Sequence, residues 1–450
     1  MAQKPHQLEF FGELRGGAPQ LGGGGSATKA APGHGSPGMD TLLDEALEAP
    51  NLRRALKRVR RNRGRPGTDG MTVDALPKWL ETNWPRVREE LLTGRYRPSP
   101  VLRRTIPKAG GGERELGIPT ALDRLIQQAL LQVLQPKLDP SFSEHSYGFR
   151  PGRSAHDAIR AAHAIIEGGK TWVVDVDVEK FFDRVNHDVL MSRMARRVSD
   201  RRVLKLIRAY LNAGIMVNGV VMGREEGTPQ GGPLSPLLAN VLLDEVDKDL
   251  EQRGHAFVRY ADDLRVFVGS EKAGKRVMRS LVRVLGRLRL RVNESKGAVA
   301  PATERPFLSV RWRLFGVGLR LRVADKAVKR MKDRVRALTS RTRGRALSTV
   351  IRELSSYLRG WLGYFGITKP DSLYGRDLDP WIRRRLRMYM LKQWTTASKT
   401  YRALRALGAS AKAAAQVAAH RRRLWGCFRL LNQAIPNSYF DRLGLVRLSP

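Results

Sequence analysis

The hydrophobic and polar positions change their spacing along the chain, and these changes predict the order of its elements. Apolar residues recur at helical spacing over Leu42–Leu47, and a second helix is expected over Ala121–Leu134. Within Tyr96–Pro119, apolar residues flank a glycine-rich stretch and prolines exclude helix interiors, so we predict two strands joined by a turn. Thr171–Val178 is apolar and β-branched, which is typical of a buried strand.

The middle of the chain alternates between the two spacings. His187–Leu211 has the apolar spacing of helices, Ala256–Val268 repeats the strand signal, and Lys272–Arg289 is helical again. Because strands that carry acidic residues alternate with helices, we predict an α+β core.

The pattern changes after Val323, where the strand signals end. Three helical segments rich in Arg follow, at residues 325–340, 345–366 and 378–394. We therefore place a domain boundary near residues 312–323. The boundary divides an α+β region, residues 41–312, from an all-helical region, residues 323–450.

Composition adds to this picture at both ends of the chain. Residues 1–40 hold ten Gly and cannot bury enough apolar surface to offset the entropy cost of ordering, so we expect a disordered leader. The chain has 82 Lys and Arg against 43 Asp and Glu, a formal net charge of +39. Residues 371–430 are more basic still, with 14 Lys and Arg against 3 Asp. This charge predicts an extended polyanion as partner.

Two absences in the sequence limit the class of protein further. No run of about 18 apolar residues and no charged-then-apolar leader is present, so we expect a soluble, cytoplasmic protein without a membrane partner. The single cysteine, Cys427, excludes an intramolecular disulfide and a multi-cysteine zinc site. A reducing compartment agrees with this cysteine content.

Two acidic segments carry the candidate chemistry. Val173–Val178 has the strand signal and holds Asp175 and Asp177, which a period of two places on one face. Tyr260–Asp263 sets two adjacent aspartates between apolar runs, where burial without a cation would be costly. A tight turn between two strands would direct the first of them toward a metal and keep the second nearby. Taken alone, such a pair also fits an exposed hairpin turn.

In order and spacing these segments resemble the palm of reverse transcriptases. Phe182 follows the second aspartate of the first segment, and the Tyr-Ala-Asp-Asp run comes about 80 residues later. The resemblance implies that Asp177, Asp262 and Asp263 are catalytic and bind two Mg²⁺ ions, which activate the primer 3′-hydroxyl and stabilise the triphosphate leaving group. It also implies that Phe182 excludes a ribose 2′-hydroxyl by bulk, although an ordinary core aromatic fits the same position.

Further segments resemble the group II intron branch of that family, in the family's order. They are the fingers hairpin Ile106–Pro119 and the blocks Ser146–Ser154, Gly227–Asn240 and Arg291–Lys296. The resemblance implies that dNTP binding uses Lys108, Arg114, Phe182, Gln230 and Lys296. It implies that Arg150 and Arg153 line the path of the RNA template. Solvated turns and charged hairpins would use similar residues.

One segment departs from the family pattern. The residues that hold the primer usually read Phe-Leu-Gly in this family, whereas this chain has Phe307-Leu308-Ser309. Because glycine permits a close approach of the backbone, Ser309 bears on primer handling and not on the chemistry.

The basic C-terminal region is similar to maturase domain X of group II intron proteins. The similarity rests on Tyr357–Phe365 and Trp381–Trp394. Arg383, Arg384 and Arg385 cannot all be buried, so we expect them to contact a structured RNA. The aromatic residues of these segments fit either the core of a helical thumb, which we favour, or stacking on exposed bases.

The resemblance implies a right-hand polymerase with α+β fingers and palm, followed by an all-helical thumb with domain X. The implied function is a bacterial group II intron-encoded RNA-directed DNA polymerase that also assists splicing and retromobility. Its expected partners are group II intron RNA, an RNA template with a DNA primer, target DNA and dNTPs. Because no nuclease follows domain X, an endonuclease-lacking form is expected.

Three alternatives would use the same residues. A domesticated reverse transcriptase in DNA repair or phage defence would keep the catalytic aspartates, and genomic context would distinguish it. A non-enzymatic RNA-binding splicing factor would not need Asp177, Asp262 and Asp263, and their presence argues against it. An RNA-templated RNA polymerase would admit a 2′-hydroxyl, which the bulk of Phe182 disfavours.

Overall fold

The chain divides into two compact units, Met1–Ala300 and Pro301–Pro450. A computed structural model describes residues 40–107, 113–217, 219–222, 226–228, 231–293, 295–316, 318–342, 344–368, 377–420 and 428–448. The expected leader, residues 1–40, lies outside this described part except for Asp40. The division between the units falls earlier in the chain than the boundary predicted at 312–323.

The described helices of the first unit confirm the segments predicted at Leu42–Leu47, Ala121–Leu134, His187–Leu211 and Lys272–Arg289, and they include further helices that the apolar pattern did not predict. They are α1 (Leu42–Ala46), α2 (Ala49–Arg61), α3 (Leu76–Leu92), α4 (Ala121–Leu138), α5 (Ala155–Glu167), α6 (His187–Ala195), α7 (Arg201–Asn212), α8 (Ser235–Gln252) and α9 (Glu271–Arg287). Thr120 caps α4 by accepting a hydrogen bond from the Asp123 amide. The helix continues past its predicted end at Leu134, because Pro136 removes only one backbone donor near the C-terminus.

The described strands of the first unit form two four-stranded sheets. They are β1 (Val101–Pro107), β2 (Glu113–Ile118), β3 (Trp172–Val176), β4 (Ile215–Val217), β5 (Val220–Met222), β6 (Ala256–Tyr260), β7 (Asp263–Val268) and β8 (Ala298–Pro301). One sheet has the order β2-β1-β4-β5, and the other, here called the central sheet, has the order β6-β7-β3-β8. The strands predicted within Tyr96–Pro119, Thr171–Val178 and Ala256–Val268 are confirmed.

Strand β3 lies inside the central sheet, with β7 on one side and β8 on the other. Its residues Val173, Val174 and Val176 are each at most 2% exposed, so apolar side chains are buried on both faces. This position explains the nearly continuous apolar run of the segment. Asp175 interrupts the run and is itself buried.

The second unit begins with a hairpin and continues as helices. Strands β9 (Val310–Phe315) and β10 (Gly318–Val323) pair antiparallel. The helices are α10 (Asp325–Leu338), α11 (Leu347–Phe365), α12 (Asp379–Gln393), α13 (Ala397–Ala406), α14 (Ala411–Ala419), α15 (Phe428–Ala434) and α16 (Asn437–Arg442). The three helical segments predicted after Val323 are confirmed. The hairpin belongs to this unit because β10 packs against the 3-10 turn Gly366–Thr368.

The amphipathic helices bury one face and expose charges on the other. Helix α2 buries Leu52, Leu56 and Val59 and ends in basic residues. Helix α10 buries Met331 and Val335 in the separate apolar core of the second unit. Within the described ranges, we find no helix that combines the length and the apolar character needed to cross a membrane.

Candidate active site

The pair of adjacent aspartates lies where β6 turns into β7. Tyr260 pairs with Asp263 at the end of this hairpin, so Ala261 and Asp262 form the turn. Ala261 has a φ of +58°, a left-handed conformation that two-residue hairpin turns require. Asp262 is exposed and Asp263 is half-buried. The turn predicted for this motif is therefore present, with one carboxylate in solvent and the next at the start of β7.

The other acidic segment lies on the adjacent strand of the central sheet. The antiparallel register of β3 and β7, continued one step beyond Val176, places Asp177 beside Asp263. Asp175 instead forms an internal ion pair, with its carboxylate 2.7 Å from Arg265 Nη1. The fold thus brings Asp177 to the aspartate turn and gives Asp175 a structural partner.

Basic side chains contact the carboxylates of Asp263 and Asp177. Arg265 Nε lies 3.0 Å from Asp263 Oδ1. Lys296 Nζ lies 3.5 Å from Asp177 Oδ2. Burial raises the pKa of Asp263 above its ordinary value; Arg265 opposes this rise and Asp175 adds to it. A carboxylate whose charge is penalised in this way is stabilised by a nearby cation.

The chemistry of Asp177, Asp262 and Asp263 suits a hard divalent cation. Carboxylate oxygens are the ligands that Mg²⁺ prefers, and the ion keeps several waters, so few protein ligands are needed. In the part of the chain that the structure describes, no three side chains of His, Cys, Asp or Glu are grouped as a metal cluster. The position of Asp177 beside Asp263 in the sheet register, with Asp262 in the adjoining turn, is the observation that fits a cation at this place.

Phe182 lies in a short 3-10 turn, Phe181–Asp183, that follows β3. Phe181 is 3% exposed and belongs to the core. The ring of Phe182 packs edge-on against it, at 5.1 Å between centroids, and is half-buried. Phe181 is thus a core residue, whereas Phe182 is half-buried and packs against the same core.

The start of the block Gly227–Asn240 is joined to the Phe182 turn by backbone hydrogen bonds. The Thr228 amide donates to the Phe182 carbonyl and the Gly227 amide to the Val185 carbonyl, both at 2.7 Å. Buried His187 Nε2 donates to the Gly227 carbonyl at 2.8 Å. Sequence reasoning missed His187, because a lone histidine at a helix start carries no signal for a distant loop. Gln230 lies outside the described residues.

The fingers hairpin is present as β1 and β2, with Ile106 opposite Arg114. Lys108 lies outside the described residues, as does the side chain of Arg114. The hairpin contacts the block Gly227–Asn240. Gly231 lies so close to β2 that a Cβ added to it would overlap the Gly117 carbonyl oxygen. The fingers strand and this block therefore touch through two glycines.

The block Ser146–Ser154 packs against the aspartate turn. The Tyr147 amide donates to the Arg259 carbonyl at 2.9 Å. Gly148 lies so close to Ala261 that an added Cβ would overlap the Ala261 amide nitrogen. The block therefore supports the turn from outside the central sheet.

The two arginines of this block differ in their surroundings. Arg150 is 8% exposed, and its Nε donates to Asp139 Oδ1 at 2.9 Å while Nη1 donates to the carbonyls of Ser143 and Ser146. Arg153 is half-buried over the Tyr147 ring. A buried guanidinium needs such partners, and this internal pairing corrects the expectation that Arg150 lines the template path.

The three consecutive arginines of α12 also differ. Arg383 is 3% exposed and pairs with Asp379 at 3.3 Å and Asp441 at 3.1 Å. This pairing corrects the expectation that Arg383 contacts RNA, because its charge is already neutralised inside the second unit. Arg384 and Arg385 are half-buried and reach the surface.

The aromatic residues of the second unit are mainly core residues. Trp361 is 8% exposed, and Trp381 and Trp394 pack against the same apolar core. The interpretation that we favoured for them is confirmed. Tyr364 differs, since its hydroxyl donates to the Leu308 carbonyl at 2.9 Å and fixes the segment expected to hold the primer.

Ser309 occupies the position where the family pattern has glycine, and its backbone is left-handed, with a φ of +66°. Glycine adopts this conformation freely, whereas for other residues it costs about 1 kcal/mol or more. The serine hydroxyl accepts a hydrogen bond from Arg330 Nη2 at 3.2 Å. The departure therefore keeps the glycine-like backbone and adds a contact to α10.

The fold and the site define a right-hand polymerase: the chain has the palm and fingers of an RNA-directed DNA polymerase. Residues 106–312 match the family model for reverse transcriptase (RNA-dependent DNA polymerase). Residues 328–408 match the model for the group II intron, maturase-specific domain. The chain belongs to the group II intron family of reverse transcriptases and maturases.

Two relatives and one solved structure illustrate the similarity. The chain is 36% identical over 270 residues to protein YkfC of Escherichia coli strain K12, covering 51% of this chain and 71% of YkfC. It is 37% identical over 193 residues to the group II intron-encoded protein LtrA of Lactococcus lactis subsp. cremoris, covering 43% of this chain and 32% of LtrA. A partial Cas6-RT-Cas1--Cas2 complex aligns at 25% identity with a TM-score of 0.36, over 57% of this chain and 43% of that chain.

Proposed function

We propose that the protein extends a DNA primer on an RNA template with dNTPs, using two Mg²⁺ ions. In retromobility, this reaction would copy the intron RNA into DNA at the target site. The observation that carries this proposal is the placement of Asp177, Asp262 and Asp263 at one end of the central sheet. All three lie within the matched reverse transcriptase region.

The carboxylates of Asp177, Asp262 and Asp263 would hold the metal. Bound Mg²⁺ supplies charge stabilisation at the primer 3′-oxygen and at the triphosphate. The 3′-hydroxyl would lose its proton to solvent as its oxygen bonds to the α-phosphorus and the bond from the α-phosphorus to the pyrophosphate oxygen breaks. Lys296 lies beside Asp177 and would donate a hydrogen bond or a proton to the leaving pyrophosphate.

The direct test is primer extension by the wild-type protein on an RNA template with dNTPs and Mg²⁺. We expect full-length product that requires template, dNTPs and metal together. A protein that binds the primer–template but leaves the primer unextended under these conditions would overturn the polymerase proposal.

Replacing Phe182 by Ala is expected to raise the ratio of kcat/KM for rNTP over dNTP by about tenfold or more, because the half-buried ring limits the space beside the sugar. Single-nucleotide incorporation with each substrate measures the ratio. Phe182→Tyr keeps the bulk and serves as the control, with a ratio near the wild-type value. An unchanged ratio in the alanine variant would assign Phe182 to the core and not to selectivity.

We further propose that the second unit binds intron RNA through a cationic face formed by α10, by the turn at Arg341 that follows it and by α12. Arg336 and Arg385 both lie over the Trp381 ring, at 5.8 and 5.6 Å from its centroid. Burial lowers the pKa of Arg385, and Arg336 and Arg341 lower it further. Like charges crowded in this way favour a polyanion, whose phosphates would relieve the repulsion.

The double substitution R341Q/R385Q is expected to weaken binding of intron RNA and to reduce the slope of log affinity against log salt by about one for each phosphate that the protein no longer binds. Filter binding over a range of KCl concentrations measures both. Arg86→Gln, which breaks an exposed ion pair with Glu90 in the first unit, is the control. Equal salt slopes for the double variant and the control would exclude this face as the RNA-binding surface.

A further inference from the structure

A buried ion pair lies directly behind the aspartate turn. Arg259, the residue before Tyr260 on β6, is 1% exposed, and Asp247 on α8 is 0% exposed. The guanidinium binds this carboxylate through Nε at 2.8 and 3.0 Å and through Nη2 at 2.5 Å. The pair therefore fixes the plane of the guanidinium.

The remaining nitrogen of Arg259 joins this pair to the turn. Nη1 donates to the Ala261 carbonyl and to Asn240 Oδ1, both at 2.9 Å. Asn240 in turn donates through Nδ2 to the Gly148 carbonyl at 2.9 Å. One guanidinium thus connects α8, the end of the block Gly227–Asn240, the block Ser146–Ser154 and the turn that carries Asp262.

Stability alone gives a weak reason for this arrangement. Burial raises the pKa of Asp247, and Arg259 opposes the rise. A buried ion pair often contributes no more to stability than apolar residues of the same volume, because the desolvation cost offsets the attraction. What an apolar replacement would lose is the directed hydrogen bond to the Ala261 carbonyl. That bond holds Ala261 in its left-handed conformation, directly before Asp262, whose carboxylate must be positioned for the proposed metal site.

We propose that Arg259, oriented by Asp247 and Asn240, is a positioning residue that fixes the Ala261 carbonyl and thereby the direction of the Asp262 and Asp263 carboxylates. This inference rests on the proposed polymerase function. Arg259 is 1% exposed, so it acts on the carboxylates through the turn. The same network ties the two flanking sequence blocks to the active site.

The test compares three variants of the full chain. R259Q/D247N removes both buried charges together and keeps their approximate volume, so neither partner is left as an unpaired charge. Arg259→Lys keeps the charge but cannot bind Asp247, Asn240 and Ala261 at once. Arg253→Gln breaks a surface ion pair with Asp249 at the end of the same helix and is the control.

We expect the double variant to lose kcat by about 100-fold, in line with a displacement of about 1 Å at a reacting group. KM for dNTP and affinity for primer–template should change by less than about threefold, since Arg259 contributes to neither binding step. The kcat of Arg259→Lys should lie between those of the double variant and the control. Amide hydrogen exchange of the 260–264 peptide should speed up in the double variant, whether or not the protein extends primers.

Wild-type kcat and wild-type exchange at residues 260–264 in the folded double variant would overturn the inference. If the double variant unfolds, Arg259→Lys decides, and a wild-type kcat in that variant overturns it. A wild-type protein that never extends a primer contradicts the proposed polymerase function. The exchange measurement then still shows whether Arg259 holds the turn.

Discussion

Replacing Asp262 or Asp263 by Asn should lower the kcat of primer extension on RNA by about a thousand-fold or more, while RNA binding stays near the wild-type level. Each substitution removes one negative charge from the end of the central sheet where the two carboxylates lie. Metal stabilisation of the transition state is worth several kcal/mol, and about 4 kcal/mol corresponds to a thousand-fold in rate. Single-turnover extension with saturating dNTP and Mg²⁺ measures the effect.

Asp188→Asn is the matched control for these variants. Asp188 lies on α6, its side chain is 77% exposed, and the substitution weakens a surface ion pair with Arg208. The control should extend primers at the wild-type rate, because exposed ion pairs contribute little to stability. Extension by the Asp262 and Asp263 variants at the control rate would remove these residues from catalysis. A wild type that binds RNA without extension would favour the splicing-factor alternative.

The periodic features of the fold could be predicted from the sequence. The apolar run around Asp175 specified a buried strand, and the two apolar runs beside Asp262 specified a hairpin. Helices α10, α11 and α12 followed from their 3.6-residue spacing. Such features depend on neighbours a few residues away, so a single sequence carries them.

Pairings between distant residues could not be predicted in this way. Arg383 was expected at the surface, because an arginine in a basic run gives no sign that Asp441 lies beside it in the fold. The expectation for Arg150 is corrected for the same reason, since Asp139 precedes it across a turn. The contact of Gly148 with Ala261 joins residues more than a hundred positions apart. These contacts are set by tertiary packing, which local pattern does not report.

The glycine contact leads to a prediction with a large expected effect. Gly148→Ala should lower kcat by about 100-fold and the free energy of unfolding by about 1 to 3 kcal/mol. The added Cβ would overlap the Ala261 amide nitrogen and lie 3.0 Å from the Ala261 Cα, both rigid backbone atoms of the turn. Either the turn moves and displaces Asp262, or the block Ser146–Ser154 moves away. Extension kinetics and thermal unfolding measure the two effects.

Gly286→Ala separates this steric effect from the general consequence of replacing a glycine. Gly286 lies on the exposed side of α9, and a Cβ added there meets no atom within 4 Å. Alanine should stabilise that helix by about 0.5 to 1 kcal/mol and leave kcat unchanged. Gly148 itself does not have a positive φ, so backbone strain cannot account for a loss at that position. If Gly148→Ala matched Gly286→Ala in both stability and kcat, the close packing of this block on the aspartate turn would have no part in catalysis.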